Sequence, residues 1–320
     1  MPDEPARPAV RRPKIGLALG SGVARGWAHI GVLRAMEEAG VRPDVVAGTS
    51  IGAVVGGAYV TDAMDAVEDW ARSLSKVNFF RYLDFRILGG GLFGGKKLAD
   101  LMTTSFGDVT FEELETPFTA IGCELITGHE IWLNEGPIVP AIHASFALPG
   151  VFDPVDYHGR WLVDGALVNP VPVSVCRALG AELVIAVNLA EDIFGRARAR
   201  REGIIGTGPY GVYSDLVKGP SIGSRKMSNP IIRKLFRHER GGPSLFANMV
   251  ASLNIVQNRL SRSRLAGDPP DVMIAPKCGH IGLMEFHRAD ELIRRGEQAF
   301  AEAYNSVSDA LAMIGYTNDD

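Results

Sequence analysis

Residues 14–53 read KIGLALGSGVARGWAHIGVLRAMEEAGVRPDVVAGTSIGA, and the order of segments inside this stretch decides the fold. Residues 14–19 (KIGLAL) are a short apolar run of strand length. Residues 24–39 carry an apolar stripe at helical spacing and stop at Gly40, residues 44–47 (DVVA) make a second strand, and a helix rich in small residues opens near Ile51. Strand, helix, strand, helix predicts a parallel sheet with helical crossovers, an α/β fold. Working outward, strands are expected at residues 118–125, 129–133, 160–163, 183–187 and 271–274. Helices are expected at 98–106, 139–146, 171–179, 245–265 and 285–313.

Two turns in the opening stretch bear chemistry. The run Gly48-Thr49-Ser50-Ile51-Gly52 fits G-x-S-x-G, in which Gly48 and Gly52 let a sharp strand-to-helix turn expose a serine hydroxyl. Gly219-Pro220-Ser221-Ile222-Gly223 fits the same pattern. Ser221, however, follows proline in a basic loop with no strand before it, whereas Ser50 ends a strand and opens a helix. The other turn spans Gly20, Ser21, Gly22, Val23, Ala24, Arg25 and Gly26. Its glycines let backbone N–H groups point at a ligand, and the helix start adds positive potential, so it suits a phosphate or an oxyanion. One strand-helix-strand unit separates the turns, and a right-handed crossover brings both to the same sheet edge. A dinucleotide site is the alternative, but it expects a charged ribose-reading residue after the second strand, where this chain has GTSIG.

A serine nucleophile needs a base. None of the seven histidines has a distinctive setting: His29 lies inside the first helix, His280 sits in PKCGHIG and His287 opens a helix. Asp164 stands out, because WLVDGA puts a carboxylate at a strand terminus followed by Gly165 and Ala166. A turn-forming aspartate is the plainer reading of the same residues.

The bulk numbers fit a globular protein: 320 residues, 46% apolar, 22% charged, net charge −4. No apolar run spans a bilayer and residues 1–13 have no signal-peptide core, so the expectation is a cytoplasmic protein with a loose tail at 1–13 and one domain at 14–320. Cys123, Cys176 and Cys278 lie far apart without histidine partners, which suits reduced thiols and no metal. Residues 193–240 hold eleven Lys or Arg against three acids, a local +8 that leaves −12 elsewhere. That basic insertion, at about 190–243, reads either as a solvated loop or as a surface for anionic lipid headgroups at the inner face of a membrane. No motif for nucleic acid accompanies it.

Taken together, GLALGSGVARGWAHIGVL, GTSIGA and DGALVNPVP resemble the patatin-like phospholipases, in particular the short bacterial members related to the catalytic domain of neuropathy target esterase. The likeness runs from residue 14 to about 189 and more weakly through 268–287. It implies a three-layer α/β/α fold with a mainly parallel central sheet. It further implies a Ser50–Asp164 dyad without histidine, an oxyanion hole near Gly22 and Val23, no cofactor, and hydrolysis of acyl esters of phospholipids, lysophospholipids or simple esters. Many members carry a glycine run where this chain has Ser21 and Val23, while Arg25 and Gly26 are kept. Arg25 then either steadies the loop or meets the headgroup. A regulatory or adaptor protein on the same fold is the rival reading, and transfer of the acyl group to an acceptor other than water is a variant of the first. The aromatic segment at 79–88 with Gly89–Gly91 as hinge reads as a lid or acyl entrance, or as core packing. The closing helices at 245–315 leave room for a homodimer.

Overall fold

The computed structural model describes residues 12–75, 91–191 and 245–316. The lid segment, most of the basic insertion, Ser221 and the tail up to residue 11 therefore lie outside the described residues. Eight strands form one sheet in the order β10 (Val272–Ile274), β9 (Leu183–Val187), β1 (Ile15–Leu19), β2 (Val45–Thr49), β4 (Phe118–Glu124), β8 (Arg160–Asp164) and β7 (Val155–Tyr157), with β5 (Glu130–Leu133) paired to β4. From β10 to β4 every pairing is parallel; β5, β7 and β8 join antiparallel. Two short strands, β3 (Gly91–Phe93) and β6 (Gly150–Phe152), pair apart from this sheet.

The strands alternate between two cores, as their period of two requires. Ile15, Leu17, Leu19, Val46, Ile185 and Val187 face a large core built with α1 (Ala28–Glu38), α2 (Ile51–Val60), α5 (Ile138–Ser145) and α8 (Ala289–Met313). Ala18, Val45, Ala47, Val184 and Ala186 face a smaller one covered by α6 (Val173–Ala178). The result is a mostly parallel sheet, as the sequence pattern predicts, in the three-layer α/β/α arrangement that the resemblance implies.

Some details differ from that pattern. Residues 23–27 wind as a tighter 3-10 turn before α1, because the N–H of Arg25 reaches the carbonyl of Gly22. A helix not anticipated, α3 (Met64–Ser73), buries only Met64, Val67 and Ala71. The remaining helices are α4 (Lys96–Phe106) and α7 (Leu245–Gly267). At the chain's start Arg12 is anchored, its guanidinium 3.2 Å from Asp44 and stacked over Tyr316. Among the described residues no helix is long and apolar enough to cross a membrane.

Strand β4 sets the positions that matter. It pairs with β2 at residues 118–121, with β8 at 122–124 and with β5 at 120–123. Because β5 overlaps both of the others, it must own one edge, and β2 and β8 follow one another along the other. Thr49 pairs with Ile121 and Asp164 with Gly122. The C-terminal ends of β2 and β8 therefore meet on adjacent rungs.

Candidate active site

Ser50 is the residue at which β2 becomes α2. Its backbone sits at φ 58° and ψ −122°, a conformation that costs a non-glycine residue on the order of 1–3 kcal/mol and persists only when its surroundings enforce it. The enforcement is visible. The carbonyl of Ser50 accepts the N–H groups of Ala53 and Val54, and its own N–H donates to Ser145 Oγ at 3.0 Å. Thr49 Oγ1 donates to the carbonyl of Asn169 at 2.8 Å, tying the elbow to the turn after Asp164. Gly52 is needed for close approach: a methyl group there would lie 2.2 Å from the carbonyl oxygen of Leu19, so the elbow helix rests directly on the end of β1.

The Ser50 hydroxyl donates to Asp164 Oδ2 at 2.7 Å. The other carboxylate oxygen, Oδ1, accepts the N–H of Ala166 at 2.8 Å. Burial pushes the Asp164 carboxyl up to about 6, and the Ala166 amide and Ser50 hydroxyl hold it from rising further. Asp164 is thus ionised at neutral pH while far more basic than a free aspartate. The hydrogen-bond partner of the hydroxyl is a carboxylate, not an imidazole. His280 is occupied by Glu291 at 2.6 Å. His29 is wholly buried 2.7 Å from the carbonyl of Gly20, and its burial drops it to about 4, so the ring is neutral and donates Nε2–H there.

Beside the pair lies the first loop. Most of its amides are committed: Gly20 N–H to the Val187 carbonyl, Ser21 to Pro170, Ala24 to Leu283 and Arg25 to Gly22. The N–H groups of Gly22 and Val23 find no acceptor among the described residues. Val23 holds φ 52°, unusual for a β-branched residue. Arg25 points away from the site. Only 1% exposed, its guanidinium donates to the carbonyl of Ile281 at 2.8 Å and reaches that of Gly279 at 3.5 Å. These contacts tie the first loop to the 279–281 segment. Gly26 packs against Ile51, where an added methyl would overlap the side chain. Gly165 and Ala166 form the turn that presents Asp164.

Ser50 and Asp164 open onto a pocket whose other walls are apolar, among them Val23, Trp27, Ile51, Val54, Phe146 and Phe286. Its last wall comes from residues 284–286, and Trp27 Nε1 donates to the Phe286 carbonyl at 3.2 Å. The sequence reading gave no role to Ser145 or to Asn169 within DGALVNPVP, and it reached the 279–286 segment only through the weaker likeness at 268–287 and His280.

Comparison with known proteins follows the same lines. The profile of the family described as patatin-like phospholipase matches residues 17–177. An uncharacterised NTE family protein of Mycobacterium tuberculosis is 33% identical, with 91% of each chain covered. Neuropathy target esterase of Drosophila melanogaster is 34% identical across 56% of this chain and 13% of its own length. Among solved structures, VipD from Legionella pneumophila superposes with a TM-score of 0.52 at 11% identity, covering 94% of this chain and 67% of that one, a likeness of fold alone.

Proposed function

We propose that this chain, which belongs to the patatin-like phospholipase family, is a serine hydrolase of phospholipase A or lysophospholipase type, with Ser50 as nucleophile and Asp164 as its base. The observation that carries the reading is the 2.7 Å bond from the Ser50 hydroxyl to a buried carboxylate. It lies in the wall of a pocket that is otherwise apolar. A carboxylate near 6 is basic enough to take the serine proton at neutral pH and acidic enough to return it.

The steps follow from the geometry. Ser50 Oγ attacks the acyl carbonyl as its proton passes to Asp164 Oδ2, and the oxygen that becomes negative is received by the free amides of Gly22 and Val23. Collapse of the tetrahedral species expels the alcohol, which takes the proton from Asp164 and leaves an acyl group on Ser50. Water then attacks that ester, Asp164 accepts its proton, the fatty acid leaves, and the proton returns to Ser50. The acyl chain occupies the pocket toward Trp27 and Phe286, where burial of each CH₂ contributes about 0.8 kcal/mol.

The test is a panel of p-nitrophenyl esters and defined phospholipids given to the wild type, Ser50→Ala and Asp164→Asn. Hydrolysis by the wild type and its loss in both variants supports the proposal; undiminished turnover in either variant refutes it. Labelling of Ser50 by a fluorophosphonate separates this reading from a catalytically silent adaptor.

A further inference from the structure

We propose that residues 145–147 act as a caliper that sets the distance between Ser50 and Asp164, with Ser145 as a positioning residue. The proposal rests on the reading of that pair given above. Ser145, the last residue of α5, is wholly buried, and its Oγ accepts the backbone N–H of Ser50 at 3.0 Å. Two residues later the carbonyl of Ala147 accepts the backbone N–H of Asp164 at 2.9 Å. One stretch of three residues thus holds the main chain of both partners.

Each partner needs such a support. Ser50 occupies a strained backbone conformation, and Asp164 is the last residue of β8, where its strand ladder ends at Gly122. The stretch is itself fixed. Phe146 N–H reaches the Ile142 carbonyl at 3.1 Å and Ala147 N–H that of Ala144 at 3.3 Å, while α5 buries Ile138, Ala141, Ile142 and Ala144. The two jaws make different demands on sequence. Any residue at 147 supplies a carbonyl, but position 145 must bring an acceptor on its side chain. A serine near a helix end ordinarily serves the carbonyl one turn back; this oxygen instead serves an amide 95 residues away in the chain.

The test compares the wild type with Ser145→Ala and Ser145→Cys, the thiol keeping volume and a weak acceptor. With p-nitrophenyl butyrate the alanine variant should lose about 10- to 100-fold in kcat, with KM within about twofold because the pocket walls are untouched. Its acidic limb in kcat/KM should move to higher pH, since Asp164 loses the hydroxyl that stabilises its charge. Hydrogen exchange at the Ser50 and Asp164 amides should quicken, and Ser145→Cys should fall between the two. A folded alanine variant with kcat within about twofold of wild type, or one that loses rate with the limb unmoved, overturns the caliper. If the alanine variant does not fold, the cysteine variant carries the same criteria. If the wild type hydrolyses no ester, the esterase reading fails on that result alone. Amide exchange then decides the caliper separately: unchanged protection at residues 50 and 164 rejects it.

Discussion

The two turns at the end of the parallel strands both hold a side-chain-bearing residue at positive φ, Ser50 in the elbow and Val23 in the first loop, yet they are held from different parts of the chain. The elbow is held by its own helix, through the amides of Ala53 and Val54, and by Ser145 Oγ and the Asn169 carbonyl from the middle of the chain. The loop is held from the far end of the chain, through Arg25 to the carbonyls of Ile281 and Gly279 and through the Ala24 amide to Leu283. The elbow carries the serine hydroxyl, and the loop carries two amides, of Gly22 and Val23, without an acceptor among the described residues. Strain at Ser50 is thus secured by its own helix and by a residue 95 positions away, while the first loop depends on residues some 250 positions away.

Four changes would break or sharpen that contrast. The largest effect belongs to the elbow: Ser50→Ala or Asp164→Asn should lower ester hydrolysis by at least about 10³-fold in steady-state assays. Wild-type kcat/KM should fall about tenfold per pH unit below pH 6 as Asp164 is protonated. Next comes stability. A carboxyl raised from 3.8 to about 6 by folding binds its proton more tightly in the native state. That contribution is therefore present below about pH 4 and lost as pH rises through 6, a difference of up to about 3 kcal/mol. Asp164→Asn should then be more stable than wild type in urea at pH 8, with no advantage at pH 4; equal stability at pH 8 would contradict the buried-charge account. The loop comes third. Arg25→Met should cost about 100-fold in kcat through the misplaced amides of Gly22 and Val23, while the acidic limb stays near 6 because the elbow is untouched. A shifted limb would show that loop and elbow are coupled after all. Smallest is Val23→Gly, where relief of about 1–3 kcal/mol of backbone strain is offset by glycine's greater unfolded freedom and by lost apolar contact. Its unfolding free energy should stay within about 1 kcal/mol of wild type, with kcat for short esters no lower. A larger loss in chemical denaturation would mean that the valine's packing dominates.

The same contrast explains what could be read beforehand. Strand β9 coincides with the predicted span at residues 183–187, because an uninterrupted LVIAV admits few alternatives. Strand β2 runs two residues past its expected end, to Thr49, since a glycine in the run disguised its continuation. Helix α3 carries a clear helical period, with Met64, Val67, Trp70 and Ala71 on one face, yet it is absent from the expected elements. Of the candidate site, the elbow, the glycine loop and the Asp-Gly turn are legible as short motifs, although distant residues hold the first two in place. Ser145 and the brace at 279–283 are not. Their function depends on tertiary approach, and nothing in HASFALPG or PKCGHIG marks a residue as the partner of a distant amide.

The abutment of β2 and β8 on one edge of β4 has a consequence for folding. The serine and its carboxylate are separated by 114 residues, and neither strand touches the other's motif until the central ladder is complete. Contacts of such long sequence separation form late, after the cost of closing the intervening loop has been met. On the proposed dyad, reactivity at position 50 is therefore an indicator of finished assembly: a nascent chain released before residue 164 would display the G-x-S-x-G motif and remain chemically inert.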